Sequence, residues 1–273
     1  MNRDLDIALA PNPSPMTGRG TNTYVLGRGD GVIVVDPGPA DAGHLDNIAV
    51  AVRARGRAAL VLLTHHHVDH SEAGVEVARL LGAPLAAAPH PLSPALDREL
   101  AGGEQLELGR VTLEVLATPG HCRDHLCFEW KQERAIFAGD LVAGEGFIVI
   151  DPPEGNMGDY LHSLTLVRDR RFGTHPAGAG AARSLLPGHG PEITDPVGYL
   201  DGYIAHRLAR EEKIRLAVPE SGGLTAAALL PLAYDDTPVA MYPVAARSLE
   251  AHLDKLVAEG RVVRSGEEYH RPR

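Results

Sequence analysis

Residues 64–70 read THHHVDH: four of seven are histidine and a fifth is aspartate, in a chain with 14 histidines in all. Imidazoles crowded like this repel once protonated and gain nothing in an apolar core, so the stretch asks for a chemical reason. Further polar residues stand just past apolar runs: His121 in TPGH, Asp140 in FAGD and His189 in PGHG. Together with His65, His67, Asp69 and His70 they make five histidines and two aspartates. Neutral imidazole and carboxylate are the ligands that zinc, iron and manganese prefer. Two residues apart on an extended strand end, His65 and His67 point the same way and can hold one ion. Asp69 and His70, round the bend, reach a second.

These residues must be carried by strands that end where they begin. VIVVD (32–36) is an apolar run closing in Asp-Pro-Gly, which reads as a buried strand entering a turn. Residues 42–55 have helical spacing, with Leu45, Ile48, Ala49 and Val52 on one face. LVLLT (60–64) is a second buried strand, with the histidine cluster at its end. A helix is expected over 71–82, with Ser71 as N-cap and Gly82 as stop. LEVLATPGH (113–121), HLCFEW (125–130), AIFAGD (135–140) and SLLPGHG (184–190) read as further strands, and 158–169 as a helix. The cluster therefore sits in a strand-to-helix loop, where an α/β scaffold commonly presents functional groups. Strands and helices alternate, then strands dominate, then the pattern repeats, which predicts a layered α/β fold with sheets inside and helices outside.

The character changes near residue 195. Residues 196–217 read as a long amphipathic helix, LTAAALLPLAY (224–234) as a short one, and AARSLEAHLDKLVAEGRVV (245–263) as a longer one closed by Gly260 and running into a strand. Three helices and a small β wing suggest a winged helix-turn-helix. The expected division is an α/β domain carrying the histidine cluster at 1–197 and a helical linker with a winged-helix-like domain at 198–273. Pro11, Pro13 and Pro15 mark an ordered lead-in.

With 44% hydrophobic residues the chain can build a sizeable core. A net charge of −10 argues against a dominant nucleic-acid surface, and duplex DNA is not an expected partner. Cys122 and Cys127 make no disulfide framework and too few thiolates for a zinc site of their own. Cys127 reads as a small residue on a buried strand. No signal peptide and no apolar run of spanning length is visible, so a cytoplasmic protein without a membrane is expected. No Gly-x-Ser-x-Gly elbow with Ser, His and Asp partners points to a serine hydrolase.

The order His65-x-His67-x-Asp69-His70, His121, Asp140, His189 resembles the metallo-beta-lactamase superfamily. The resemblance implies an αββα sandwich with a dinuclear metal site at one edge. By position, His65, His67 and His121 would hold one ion, Asp69, His70 and His189 the other, and Asp140 would bridge. The cofactors implied are two divalent ions, zinc first, with manganese or iron(II) as alternatives. Such ions lower the pKa of a shared water from 15.7 toward about 7 and so supply a metal-bound hydroxide for hydrolysis. Asp69 would orient the nucleophile or accept its proton. His66, the variable position of the motif, is expected to point away, and His125 to make a structural hydrogen bond. His44, His90, His162, His175, His252 and His270 read as surface or core histidines, and Arg168, Asp169 and Arg170 as a solvated helix face.

The bridging aspartate points away from antibiotic hydrolysis and toward thioesters, lactones or phosphodiesters. The stretch between Asp140 and His189 is too short for the nuclease domain inserted there in RNA-processing members. GTNTYVLG (20–27), THHHVDHS (64–71), TPGHCRDH (118–125), FAGDLVAGEG (137–146), LPGHGPEI (186–193), IAHRLAREEKI (204–214) and SLEAHLDKLVAEGRV (248–262) resemble the beta-lactamase-like endoribonuclease branch, which carries a C-terminal winged helix. That implies single-stranded RNA as a partner. The near-balance of acidic and basic residues after 197 favours instead a small-molecule ester or thioester, as in a glyoxalase II-like thioesterase or lactonase. His206 and Arg207 would face the cleft or make an interdomain contact. Two further classes stand beside hydrolysis: a mononuclear iron persulfide dioxygenase and a winged-helix regulator.

Overall fold

A computed structural model describes residues 4–170 and 182–272. His175 lies outside the described residues. The described residues divide into two compact units, one from 4–118, 124–148, 166–170 and 182–197, the other from 119–123, 149–165 and 198–272.

In the first unit the chain runs β1 (Leu5–Leu9), β2 (Asn22–Leu26), β3 (Gly29–Val35), α1 (Ala42–Arg55), β4 (Gly56–Leu62), α2 (Val68–Ser71), α3 (Gly74–Leu81), β5 (Leu85–Ala87) and β6 (Arg98–Glu99). These strands form one sheet in sequence order, antiparallel through β3 and parallel from β3 onward. β7 (Gln105–Leu108), β8 (Val111–Ala117), β9 (Leu126–Trp130), β10 (Ala135–Gly139) and, after α4 (Met157–Asp169), β11 (Ser184–Pro187) form a second sheet in the order β11-β10-β9-β8-β7.

Side chains alternate across each strand, and this alternation builds the layers. Ile33 and Val35 of β3 face Phe128, Phe137 and Leu186 of the second sheet, while Val32 and Val34 face Leu45, Ile48 and Val52 of α1 and Val77 of α3. The first sheet is thus covered on both faces, which is why its central strands read as unbroken apolar runs.

α1 begins and ends as its spacing predicts, with the Asp41 carboxylate accepting the His44 N–H. The helix expected over 71–82 is different. It breaks into α2 and α3, Ser71 closes α2, and α3 ends at Gly82 in a left-handed conformation. Ser71 is not an N-cap: its hydroxyl donates backward to the His66 carbonyl at 2.7 Å. The face expected at 168–170 also differs. Arg168 and Asp169 pair with each other, but Arg170 reaches Glu114 and the fully buried Glu129.

In the second unit, α5 (Pro196–Ala217) leads to β12 (Leu224–Thr225), α6 (Ala226–Ala233), α7 (Tyr242–Ala258), β13 (Val263–Ser265) and β14 (Glu268–His270). The last strands form a small sheet in the order β12-β14-β13. Its core joins Ile214 of α5, Val218 just past its end, Leu229 of α6, Leu249, Leu253 and Leu256 of α7, and Tyr269. Helices in this order with a terminal β wing match the expected winged-helix arrangement. Among the described residues no helix is long and apolar enough to cross a membrane.

Candidate metal centre

β3 ends at Val35, and the next residue turns the chain. Asp36 has a φ of 52°, a left-handed conformation that aspartate tolerates better than most residues. Its buried carboxylate accepts the Thr64 N–H at 2.7 Å and the Thr64 hydroxyl at 2.8 Å, and meets His70 Nδ1 at 2.9 Å. One residue at the end of β3 thereby fixes the whole turn after β4.

The consequence is a set of defined ring faces. Thr64 has one hydroxyl hydrogen and gives it to Asp36, so toward His65 Nδ1, at 3.0 Å, it can only accept. His65 Nδ1 therefore carries the proton and Nε2 the lone pair. His65 Nε2 stands 3.0 Å from His67 Nδ1. His70 spends Nδ1 on Asp36 and turns Nε2 inward, 3.3 Å from His189 Nε2. His189 points Nδ1 at the Gly20 carbonyl, 3.3 Å away. In the second unit, His121 has Nδ1 2.9 Å from the Val149 carbonyl, which likewise puts the proton on Nδ1 and the lone pair on Nε2. Ligand histidines characteristically have the second nitrogen held in this way.

The carboxylates complete the group. Asp69 Oδ2 is 3.2 Å from His189 Nε2 and 3.6 Å from His70 Nε2; Asp140 Oδ1 is 3.4 Å from both. The ligand atoms of Asp69, His70 and His189 lie within 4.8 Å of one another, as do those of His65, His70 and Asp140. The first unit thus brings together His65, His67, Asp69, His70, Asp140 and His189, and His121 stands on a turn grouped with the second unit. Convergent nitrogens and carboxylate oxygens of this kind fit divalent zinc, manganese or iron.

The field supports the same chemistry. Burial pulls the His70 pKa down, but Asp140 and Asp36 outweigh it and hold the ring well above its ordinary value. His189 is raised against burial by Asp140 and Asp69. Burial pushes Asp69 up, and the His189 hydrogen bond and the His70 charge bring it below its usual value. The site favours positive charge.

Backbone close approach makes room for it. A Cβ on Gly188 would lie 2.5 Å from His70 Cε1 and 2.8 Å from Asp140 Oδ1, and one on Gly139 would lie 2.7 Å from the Thr64 hydroxyl oxygen. Glycine next to Asp140 and His189 is a steric condition for the cluster. Asn22 and the Tyr24 hydroxyl, donating to the Pro187 carbonyl, fix the strand end that carries His189.

Several residues were not singled out by the sequence. Asp36, read only as the end of a strand, is the principal positioning carboxylate. The signal was an aspartate closing a run of four apolar residues, where a buried charge needs partners. Thr118 meets His125 Nδ1 at 2.8 Å, and His125 Nε2 accepts the Asp140 N–H at 3.0 Å, the structural bond expected of that histidine. His66 does turn away from the cluster, but onto Asp124. Cys122 and Cys127 are both buried, and burial pushes the Cys127 thiol up to about 12. Arg207 is buried over the ring of Tyr160, within the second unit.

Comparison with known proteins adds a family to this geometry. Residues 16–175 match the model described as the metallo-beta-lactamase superfamily, and residues 225–270 that of the beta-lactamase associated winged helix domain. A beta-lactamase-like protein 2 homolog of Caenorhabditis elegans is 31% identical over 261 residues, covering 92% of this chain and 83% of that one. An atrochrysone carboxyl ACP thioesterase of Aspergillus chevalieri is 33% identical over 215 residues, covering 78% of this chain and 65% of that one. Among solved structures, a metallo-beta-lactamase family protein from Thermus thermophilus superposes with a TM-score of 0.78 at 23% identity, covering 98% of this chain and 99% of that one.

Proposed function

The chain belongs to the metallo-beta-lactamase superfamily, and from that premise we propose that it is a dinuclear metal-dependent hydrolase of small esters or thioesters. His65, His67 and His121 would hold one ion, Asp69, His70 and His189 the other, with Asp140 between them. The observation that carries this reading is the convergence, within the first unit, of ring nitrogens whose partner nitrogens are already engaged by Asp36, Thr64 and Gly20. Two divalent ions in such a site supply Lewis acidity and bring the pKa of water toward about 7.

The chain's own residues do the rest. Asp69, the more exposed of the two cluster carboxylates at 27% of its side chain, can accept a proton from water and pass it to the leaving group. Asp140 is held by its backbone on His125, so its carboxylate keeps its place as charge develops. Buried His70 and His189 exclude water from the inner side.

The thioester reading is supported by the relative named as an ACP thioesterase. It is also supported by the outward face of α7, where Glu250 and Asp254 are exposed and Arg247 pairs with Asp151 at 3.2 Å. A face with that charge repels phosphates. Single-stranded RNA is the second reading, implied by the resemblance of the motifs from GTNTYVLG to SLEAHLDKLVAEGRV to the endoribonuclease branch.

The test is hydrolysis of an acyl thioester panel, read by thiol release, and of a labelled single-stranded RNA. Zinc- or manganese-loaded protein is compared with Asp140→Ala. Thiol release should be lost by roughly 100-fold or more in the variant, as when a group stabilising transition-state charge is removed, and RNA should stay intact. RNA cleavage without thiol release would move the substrate to RNA, and one bound iron with oxygen consumption would replace hydrolysis by oxidation.

A further inference from the structure

We propose that Asp124 and His66 form a positioning pair that sets the spacing of His65 and His67, and that the segment 124–126 ties their turn to Asp140. This rests on the metal-centre reading above. His66 stands between the two residues whose nitrogens must converge, and in extended chain its side chain points opposite to both. Whatever holds His66 therefore fixes the plane of the turn.

The structure holds it from several directions. Asp124 Oδ1 is 2.8 Å from His66 Nδ1, with side-chain exposures of only 2% and 6%. The Ser71 hydroxyl donates to the His66 carbonyl at 2.7 Å. His90 stacks on the His66 ring, centroids 3.9 Å apart and planes 16° apart. The neighbours of Asp124 act on the same centre. His125 Nε2 accepts the Asp140 N–H at 3.0 Å, and the Leu126 N–H donates to the Thr64 carbonyl at 2.8 Å. Three consecutive residues thus reach 66, 140 and 64, joining the turn after β4 in one sheet to the turn after β10 in the other. Metal–ligand distances tolerate only about 0.2 Å, so a brace on both turns bears directly on affinity.

His66, His90 and Asp124 also bring their ligand atoms within 4.8 Å of one another, which raises a third ion as an alternative. Two features favour the pair. The lone pairs of stacked imidazoles lie in nearly parallel planes and cannot meet at an ion about 2.0–2.1 Å from each. His90 Nδ1 already accepts the Leu92 N–H at 3.1 Å.

The test uses the full chain loaded with cobalt(II), reading its visible absorption bands, the bound equivalents and the rate of loss to a chelator, with thermal unfolding in parallel. Asp124→Ala should shift the bands and weaken cobalt binding about 10–100-fold. Asp124→Asn, which keeps an oxygen for the His66 Nδ1–H, should recover most of both. His66→Phe keeps ring and volume but removes that N–H, and should reproduce the alanine spectrum even if Asp124→Ala does not fold. His90→Ala should keep the parent's bound equivalents. Folded Asp124→Ala or His66→Phe with the parent's spectrum and off-rate overturns the pair. Loss of one cobalt equivalent in His90→Ala overturns it in favour of a third ion. A parent that takes up no cobalt overturns the metal-centre reading and this proposal with it.

Discussion

Two clusters of buried charge stand in this chain, and they are built to opposite ends. Around His70 in the first unit, carboxylates and imidazoles meet with their ring nitrogens turned inward onto one another. Around Glu211 in the second, a buried carboxylate is met by two cations, Lys255 at 2.9 Å and Arg261 at 2.8 Å, with the His252 ring Nδ1 at 3.6 Å. The first cluster gathers lone pairs, and only an added positive charge can reconcile them. The second gathers opposite charges, and it ties α5 to α7. Burial of titratable groups is common to both, so it does not by itself mark a site. The direction of the lone pairs does.

The sharpest way to break this contrast is to disturb one cluster and watch both. Asp36→Asn keeps the left-handed turn but puts an amide where Thr64 and His70 need an acceptor. Metal affinity should fall about 10–100-fold, and stability by about 1–3 kcal/mol for the donors left unpaired in the core. Chelator competition and thermal melting measure the two. Glu211→Gln should do the reverse. Breaking the buried pair should cost about 1–2 kcal/mol, discounted because Arg261 is 39% exposed, with metal affinity unchanged. Equal losses of affinity in both variants would mean that the two clusters are energetically one.

Much of the first cluster was legible because its signal is local. A ligand placed one or two residues past an apolar run is visible as a histidine or aspartate where a turn residue would do, and His65, His67, Asp69 and His70 declare themselves within seven positions. The strands and α1 were legible for the same reason, since period and burial agree along them. What stayed hidden was pairing across the fold. Nothing within the sequence near Asp36 says that its carboxylate meets Thr64 and His70, or near Asp124 that it meets His66. The break between α2 and α3 was missed because Ser71 satisfies the local rule for a cap while its hydroxyl is drawn back to His66. Arg170 was misread because the partner that buries it, Glu129, is on β9.

The second cluster should also respond to acid in a way that exposes its logic. Burial and the nearby Arg207 and Arg210 hold His206 down at about 4, and burial lowers His252. Unfolded chains take up those protons first. The stability that comes from keeping both rings neutral is therefore complete above pH 6.5 and is withdrawn as pH falls from there toward about 4. Glu211 is pushed up by burial, but its bonds to His252 and Lys255 bring it down to about 2. Its contribution is intact above the ordinary carboxylate value of 4.5 and is lost as pH falls toward about 2. Hydrogen-exchange protection of α7 amides should accordingly decline in two stages on acidification, and Glu211→Gln should lack the second.

The smallest effect expected concerns the outward face of α7, which neither cluster reaches. Glu250 and Asp254 are exposed there on neighbouring turns, so the helix that a winged-helix reader would present to a duplex carries the wrong charge. Reversing both to lysine should leave metal content and thiol release unchanged, because neither side chain belongs to the proposed centre. It should add only weak, salt-sensitive binding of a labelled duplex, since two phosphate contacts give a log–log salt slope of about −2. Fluorescence anisotropy across a salt series reads that slope. Parent protein that already binds the duplex with a steeper slope would show that phosphates are held elsewhere on the chain. The contrast would then have to include a third, basic region.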